Sequence, residues 1–236
     1  GAVPTPTHVE LGPDPDFYLA RVDWFPSSHS LAIQKQSRDQ KTLTLLKADA
    51  TSGATRELLV EHSDSWVDLN DELTFLERSA RFIWASTRTG FKHLYLYDDE
   101  GQLIRPLTSG DWVVEGDGDR AIRGVDEQRG TVYFMANAQS PLERHLYSLS
   151  LTNSKSGMAR VTESEGWHSV KMSNNAKVFL DTYSTPDAPP SVTLRSANGK
   201  AITTLVANAI TGDHPYVPYL SEHVSTEFGT LKANDG

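Results

Sequence analysis

The chain has 236 residues, 38% of them apolar and 22% charged, with a mean hydropathy of -0.43; this balance supports a folded core and excludes a disordered tail. Its 22 basic and 31 acidic residues give a net charge of -9, so the long-range field repels polyanions and speaks against nucleic acid as a partner; solubility is the simpler role of that charge. The absence of cysteine rules out disulfides and thiolate metal sites, and no apolar run approaches the roughly 20 residues that cross a bilayer.

Gly1 to Pro13 lack the basic-then-apolar order of a signal peptide, and Gly1-Ala2-Val3 reads as a processed or engineered start. Residues 1–17 lead into a first unit at about 18–62, with strand runs at Leu31-Ala32-Ile33-Gln34, Leu43-Thr44-Leu45-Leu46 and Glu57-Leu58-Leu59-Val60. A second unit at 67–111 carries Phe82-Ile83-Trp84-Ala85-Ser86-Thr87 and then Lys92-His93-Leu94-Tyr95-Leu96-Tyr97. A third at 113–167 repeats the wording as Val132-Tyr133-Phe134-Met135-Ala136-Asn137 and Arg144-His145-Leu146-Tyr147-Ser148-Leu149, so the basic-His-Leu-Tyr element recurs 52 positions on. A fourth at 168–209 holds Lys177-Val178-Phe179-Leu180, Ser191-Val192-Thr193-Leu194 and Ile202-Thr203-Thr204-Leu205. The first three units close on a polar turn and a tryptophan, Trp66, Trp112 and Trp167.

Short strands at this density, without helical periods between them, predict an all-β fold: a β-propeller of about four four-stranded blades. The nearly all-apolar Leu94 to Tyr97 run fits a strand buried on both faces. Asn198-Gly199 is the strongest hairpin signal, because both central positions of such a turn tolerate positive φ. Residues 210–236 read as a connecting segment with one incoming strand around Glu222 to Phe228, and stopping at Asn234-Asp235-Gly236 reads as truncation. Four blades cut from a ring would expose two apolar faces and so favour self-association into a homo-oligomer.

Arg21-Val22-Asp23-Trp24, Trp66-Val67-Asp68, the run from Arg88 to Tyr95, the run from Leu107 to Val114, and Tyr133-Phe134 with Glu143-Arg144-His145-Leu146-Tyr147 together resemble the propeller of the dipeptidyl peptidase IV family, particularly its bacterial members. The resemblance spans about residues 10 to 235 and implies the later part of an eight-bladed ring. It also implies a parent serine hydrolase that releases Xaa-Pro or Xaa-Ala dipeptides from peptide N-termini, without a cofactor, in the periplasm or outside the cell. The Gly-x-Ser-x-Gly elbow of the family's catalytic α/β-hydrolase domain is absent here, as is the adjacent glutamate pair that holds the substrate's amino terminus. No catalytic residue is therefore expected in this chain. Where some relatives carry an Arg-Phe lining outer subsites, this chain has Leu69 and Asn70.

His93 and His145, at equivalent repeat positions, read as structural side-chain bonds to a neighbouring strand. None of the eight histidines has a short metal-ligand spacing, and Glu115-Gly116-Asp117-Gly118-Asp119 lacks the glutamate and glycine of a calcium loop; no metal is expected. The recurring tryptophans read as packing between blades rather than as a ligand platform. Ser109-Gly110-Asp111-Trp112 reads as a blade turn rather than a sialidase-type Asp-box. The substrate-cavity candidate is Asp68, which follows the first closing tryptophan. Three readings compete: a peptidase propeller that walls the substrate cavity, admits short peptides and supports the absent catalytic domain; a non-enzymatic module that binds peptides or proteins; or part of a related oligopeptidase with a seven-bladed propeller.

Overall fold

The computed structural model describes residues 5–69, 71–116, 118 and 120–234. Its strands form four antiparallel sheets, each with its strands in chain order. The first holds β1 (Phe17–Trp24), β2 (Ser30–Ser37), β3 (Thr42–Asp49) and β4 (Thr55–His62); the second, β5 (Thr74–Leu76), β6 (Arg81–Ser86), β7 (His93–Asp98) and β8 (Leu103–Pro106). The third holds β9 (Ile122–Asp126), β10 (Thr131–Ala136), β11 (His145–Ser150) and β12 (Ala159–Arg160), and the fourth β13 (Trp167–Met172), β14 (Val178–Thr185), β15 (Ala188–Ser196) and β16 (Ala201–Val206). The architecture is a partial β-propeller, as the repeat implies.

Strand alternation explains the continuous apolar runs. Along β6, Phe82 and Trp84 face the first blade and pack with Leu43, Leu45 and Leu58. The intervening Ile83 and Ala85 face the third blade and meet Val132, Phe134 and Tyr147. On β10, Tyr133 and Met135 turn the other way, onto Val170 and Phe179 of the fourth blade. A middle blade buries both faces, so successive residues must all be apolar.

The repeated histidines are cross-strand staples, as expected from their phase. The Thr108 hydroxyl accepts the Leu94 N–H at 2.9 Å and lies 3.0 Å from His93 Nδ1, and the ring donates through Nε2 to the Gly110 carbonyl at 2.8 Å. In the third blade Thr162 accepts from Leu146 at 3.0 Å and lies 3.1 Å from His145 Nδ1, while His145 Nε2 donates to Glu143 at 2.8 Å. The first blade carries the pair with its partners exchanged: Thr42 on β3 lies opposite His62 on β4, with Oγ1 3.3 Å from Nδ1.

Burial lowers the affinity of the His145 ring for a proton below its ordinary value of 6.5, against the Glu143 hydrogen bond that favours the charged form. The folded state then binds fewer protons than the unfolded chain, so this contribution to stability is complete above pH 6.5 and is lost as the pH falls through the lowered value. Urea unfolding of His145→Gln against the unsubstituted chain at pH 7.5 and 5.0 should give a stability difference that shrinks toward acid; a difference independent of pH would contradict this assignment.

Three local expectations are corrected. Asn198 keeps negative φ, and only Gly199 is left-handed, with φ 88°; the loop is a turn closed by Gly199 N–H to Ser196 O at 2.8 Å, with the glycine forming a bulge before β16. Residues 210–234 contain no strand; their regular element is a 3-10 helix, Val217–Glu222. Pro218 presents no N–H to a sheet ladder, and the turn is closed instead by Tyr219 N–H to Tyr216 O at 2.9 Å. Finally, the closing tryptophans are not packed alike between blades, because Trp66 and Trp112 lie in turns beyond the sheets while Trp167 opens β13. Trp66 is 62% exposed and Trp167 39% exposed beneath the Arg144 guanidinium, whereas Trp112 stands edge-on to His93. The fully buried tryptophan is Trp84, inside β6.

The outer blades keep apolar surface in solvent: Leu19, Val22 and Trp24 on β1, and Ile202, Leu205 and Val206 on β16 are all exposed.

Candidate functional site

A cavity of about 890 Å³ opens where the crossover from the first to the second blade meets the ends of β4 and β6 and the approach to β9. Its size lies within the range of small-ligand pockets. The crossover places Asp68 on its wall, where the sequence reading puts it, with the exposed Leu69 and half-buried Val67 beside it; the fully buried Trp84 and Leu43 border it from the core. Asn70 lies outside the described residues, as do Asp117 and Asp119 of the acidic loop.

Most charged groups on this wall are committed to holding blades together. Glu61, buried at the end of β4 opposite Leu43, accepts from Trp84 Nε1 at 3.0 Å, Ser86 Oγ at 2.8 Å and the Arg88 guanidinium at 2.5 Å. Burial works against the Arg88 charge, but the hydrogen bond and charge of Glu61 outweigh it and raise the guanidinium above its ordinary value. Arg88 also lies over the Tyr95 ring, 4.4 Å from its centroid. Glu72 is buried, and its carboxylate accepts the Ala121 and Ile122 N–H groups at 2.5 and 3.0 Å, clamping the second blade to the third. Arg120 donates to the Leu73 carbonyl at 2.9 Å and to Thr74. Arg21 pairs with Asp71 at 2.6 Å.

Among the described residues three charged groups on the wall are not tied up in this way: Asp23, which is exposed and has neither a hydrogen bond nor an ion pair, Asp68 and Lys92. Asp68 is exposed, and its Oδ1 accepts only the Trp66 Nε1–H at 3.0 Å. Lys92 is half-buried, and its side chain has neither a hydrogen bond nor an ion pair. Sequence reasoning reached Asp68 through its place after Trp66 but assigned no role to Glu61, Arg88, Glu72 or Lys92. No spacing rule could have found Glu61: it turns inward because β4 pairs with β3 through a register shift that sets Glu61 opposite Leu43. Among the described residues no group of three or more histidine, aspartate or glutamate side chains is arranged to hold a metal ion.

Comparison with known proteins gives this wall its context. In human dipeptidyl peptidase 8, 161 residues align at 32% identity, over 57% of this chain and 18% of the human protein. The Aspergillus flavus protein named "Probable dipeptidyl peptidase 4" is 28% identical over 203 residues, 82% of this chain and 26% of its own length. The crystal structure of Porphyromonas gingivalis dipeptidyl peptidase 4 superposes with a TM-score of 0.75 at 28% identity, covering 86% of this chain and 28% of that one. The chain thus spans about a quarter of the length of such relatives. Residues 3–190 match the family described as dipeptidyl peptidase IV (DPP IV) N-terminal region, and the chain belongs to that family.

Proposed function

We propose that this chain is the later part of the propeller of a serine dipeptidyl peptidase that releases Xaa-Pro or Xaa-Ala dipeptides from peptide N-termini in the periplasm or outside the cell. The chemistry belongs to an α/β-hydrolase domain outside this chain. The blades described here wall the substrate cavity, admit short peptides and support that domain. The observation that supports the reading is the family match across residues 3–190, the stretch that also lines the 890 Å³ cavity. Asp68 meets the passing peptide: its carboxylate has acceptor capacity left beyond the Trp66 indole, and it stands at the solvent side of the wall.

The parent enzyme should cleave a Gly-Pro chromogenic substrate, and the purified chain alone should not; cleavage by the isolated chain at a rate proportional to its concentration would overturn the reading. In the parent, Asp68→Ala should raise KM for a peptide substrate about 5-fold, the value of one modest hydrogen bond, with kcat nearly unchanged. A fall in kcat at constant KM would instead remove Asp68 from peptide contact.

A further inference from the structure

The charges on the cavity wall divide into those the fold consumes and those it leaves available. Glu61 is fully engaged by Trp84, Ser86 and Arg88; both oxygens of Glu72 take backbone N–H groups; Asp71 is paired with Arg21. Among the described residues Lys92 is the basic side chain on this wall without a partner, while Asp23 and Asp68 are the acidic ones outside ion pairs. Lys92 stands at the start of the basic-His-Leu-Tyr element, one residue before the fully enclosed His93, and its carbonyl is pinned by the Val114 N–H at 2.9 Å. That backbone anchor fixes where the side chain starts. A half-buried lysine rests its aliphatic stem on the wall and leaves its ammonium free to meet an anion that enters the cavity. The repeat sharpens the contrast. Arg144 occupies the matching position in the third blade, and there the cation is occupied: it donates to the Gly116 carbonyl at 3.1 Å and to the His168 carbonyl at 3.2 Å, and lies over Trp167.

We infer that Lys92 is the carboxylate-binding group of this cavity, and that with Asp68 it makes the cavity a site for a short zwitterionic peptide: the free carboxylate on Lys92, the free ammonium on Asp68. The exposed Leu69 and half-buried Val67 on the same wall offer apolar surface that suits a proline or other apolar side chain. A free dipeptide carries both charges and a compact apolar body, and it is the product class of the proposed reaction. The inference rests on reading the cavity as peptide-facing, and it adds that the wall holds the released dipeptide on its way out.

Calorimetric titration of the full chain with three probes tests it: Gly-Pro, its C-terminal amide and its N-acetyl form. Gly-Pro should bind at least about tenfold more tightly than the amide, the scale of one charge-assisted hydrogen bond, and more tightly than the N-acetyl form. Lys92→Met should abolish discrimination against the amide while leaving that against the N-acetyl form; Asp68→Asn should do the reverse. Lys92→Arg should retain carboxylate discrimination, which separates loss of charge from loss of structure. Equal binding of Gly-Pro and its amide by the unsubstituted chain, or carboxylate discrimination persisting in Lys92→Met, overturns the inference while leaving a peptide-facing cavity intact. Failure of all three probes to bind overturns both.

Discussion

Asp181→Ala should lower the stability of the chain by about 3–5 kcal/mol, the cost of breaking a buried ion pair from one side. The Asp181 side chain has no solvent exposure; one oxygen accepts from His168 Nδ1 at 2.8 Å and the other from Arg195 Nε at 2.8 Å. His168 Nε2 lies 2.9 Å from the Ser164 carbonyl. The carboxylate thus answers the His168 ring on one side and the Arg195 guanidinium on the other. Removing Asp181 leaves the Arg195 guanidinium without its counter-charge and the buried His168 Nδ1 without its partner. Urea denaturation gives the midpoint and slope that report the loss. The accompanying triple substitution, His168→Phe with Asp181→Leu and Arg195→Met, should recover most of it, because an apolar replacement leaves no unpaired charge. A loss below about 1 kcal/mol for Asp181→Ala would show that water reaches the site.

Gly199→Val should cost about 2–5 kcal/mol, from two additive sources. The backbone there has φ 88°, which L side chains rarely adopt, and a Cβ would lie 2.3 Å from the Val161 carbonyl oxygen. The β15–β16 turn is pressed against the strand end of the preceding blade, so a side chain must push two blades apart. Gly90 provides the comparison: its φ is 95°, but a Cβ there would meet nothing within 4 Å. Gly90→Ala should therefore show the conformational part alone, about 1 kcal/mol. Thermal unfolding of both variants separates the terms; equal losses at the two positions would mean that blade contact contributes nothing at Gly199.

The architecture was legible because it is written locally and repeatedly. The recurrence of Lys92-His93-Leu94-Tyr95 as Arg144-His145-Leu146-Tyr147 encodes one hairpin twice, and the His-to-Thr staples follow from the same register in both blades. The reading failed where a signal was local but its partner was not. The extended stretch around Glu222 to Phe228 has strand-like composition, yet no sheet edge pairs with it, and Pro218 turns the chain into a 3-10 helix beforehand. Trp66, Trp112 and Trp167 share a phase in the repeat, but the first two lie in turns beyond the sheets and the third opens β13, and each finds a different neighbour.

For function, the sequence by itself determined the blade repeat, the membership in a peptidase propeller family and the lack of a Gly-x-Ser-x-Gly nucleophile motif within these 236 residues. It also brought Asp68 forward. Only the tertiary structure decided which charges are spent and which remain. Glu61 meets Arg88 at 27 positions' separation and Glu72 meets Ile122 at 50, each across a blade boundary. Whether Lys92 is answered by a carboxylate depends on where such partners lie once the blades have packed. A propeller repeats its strands faithfully, because every blade solves the same packing problem. Its crossovers vary, and the cavity is built from them.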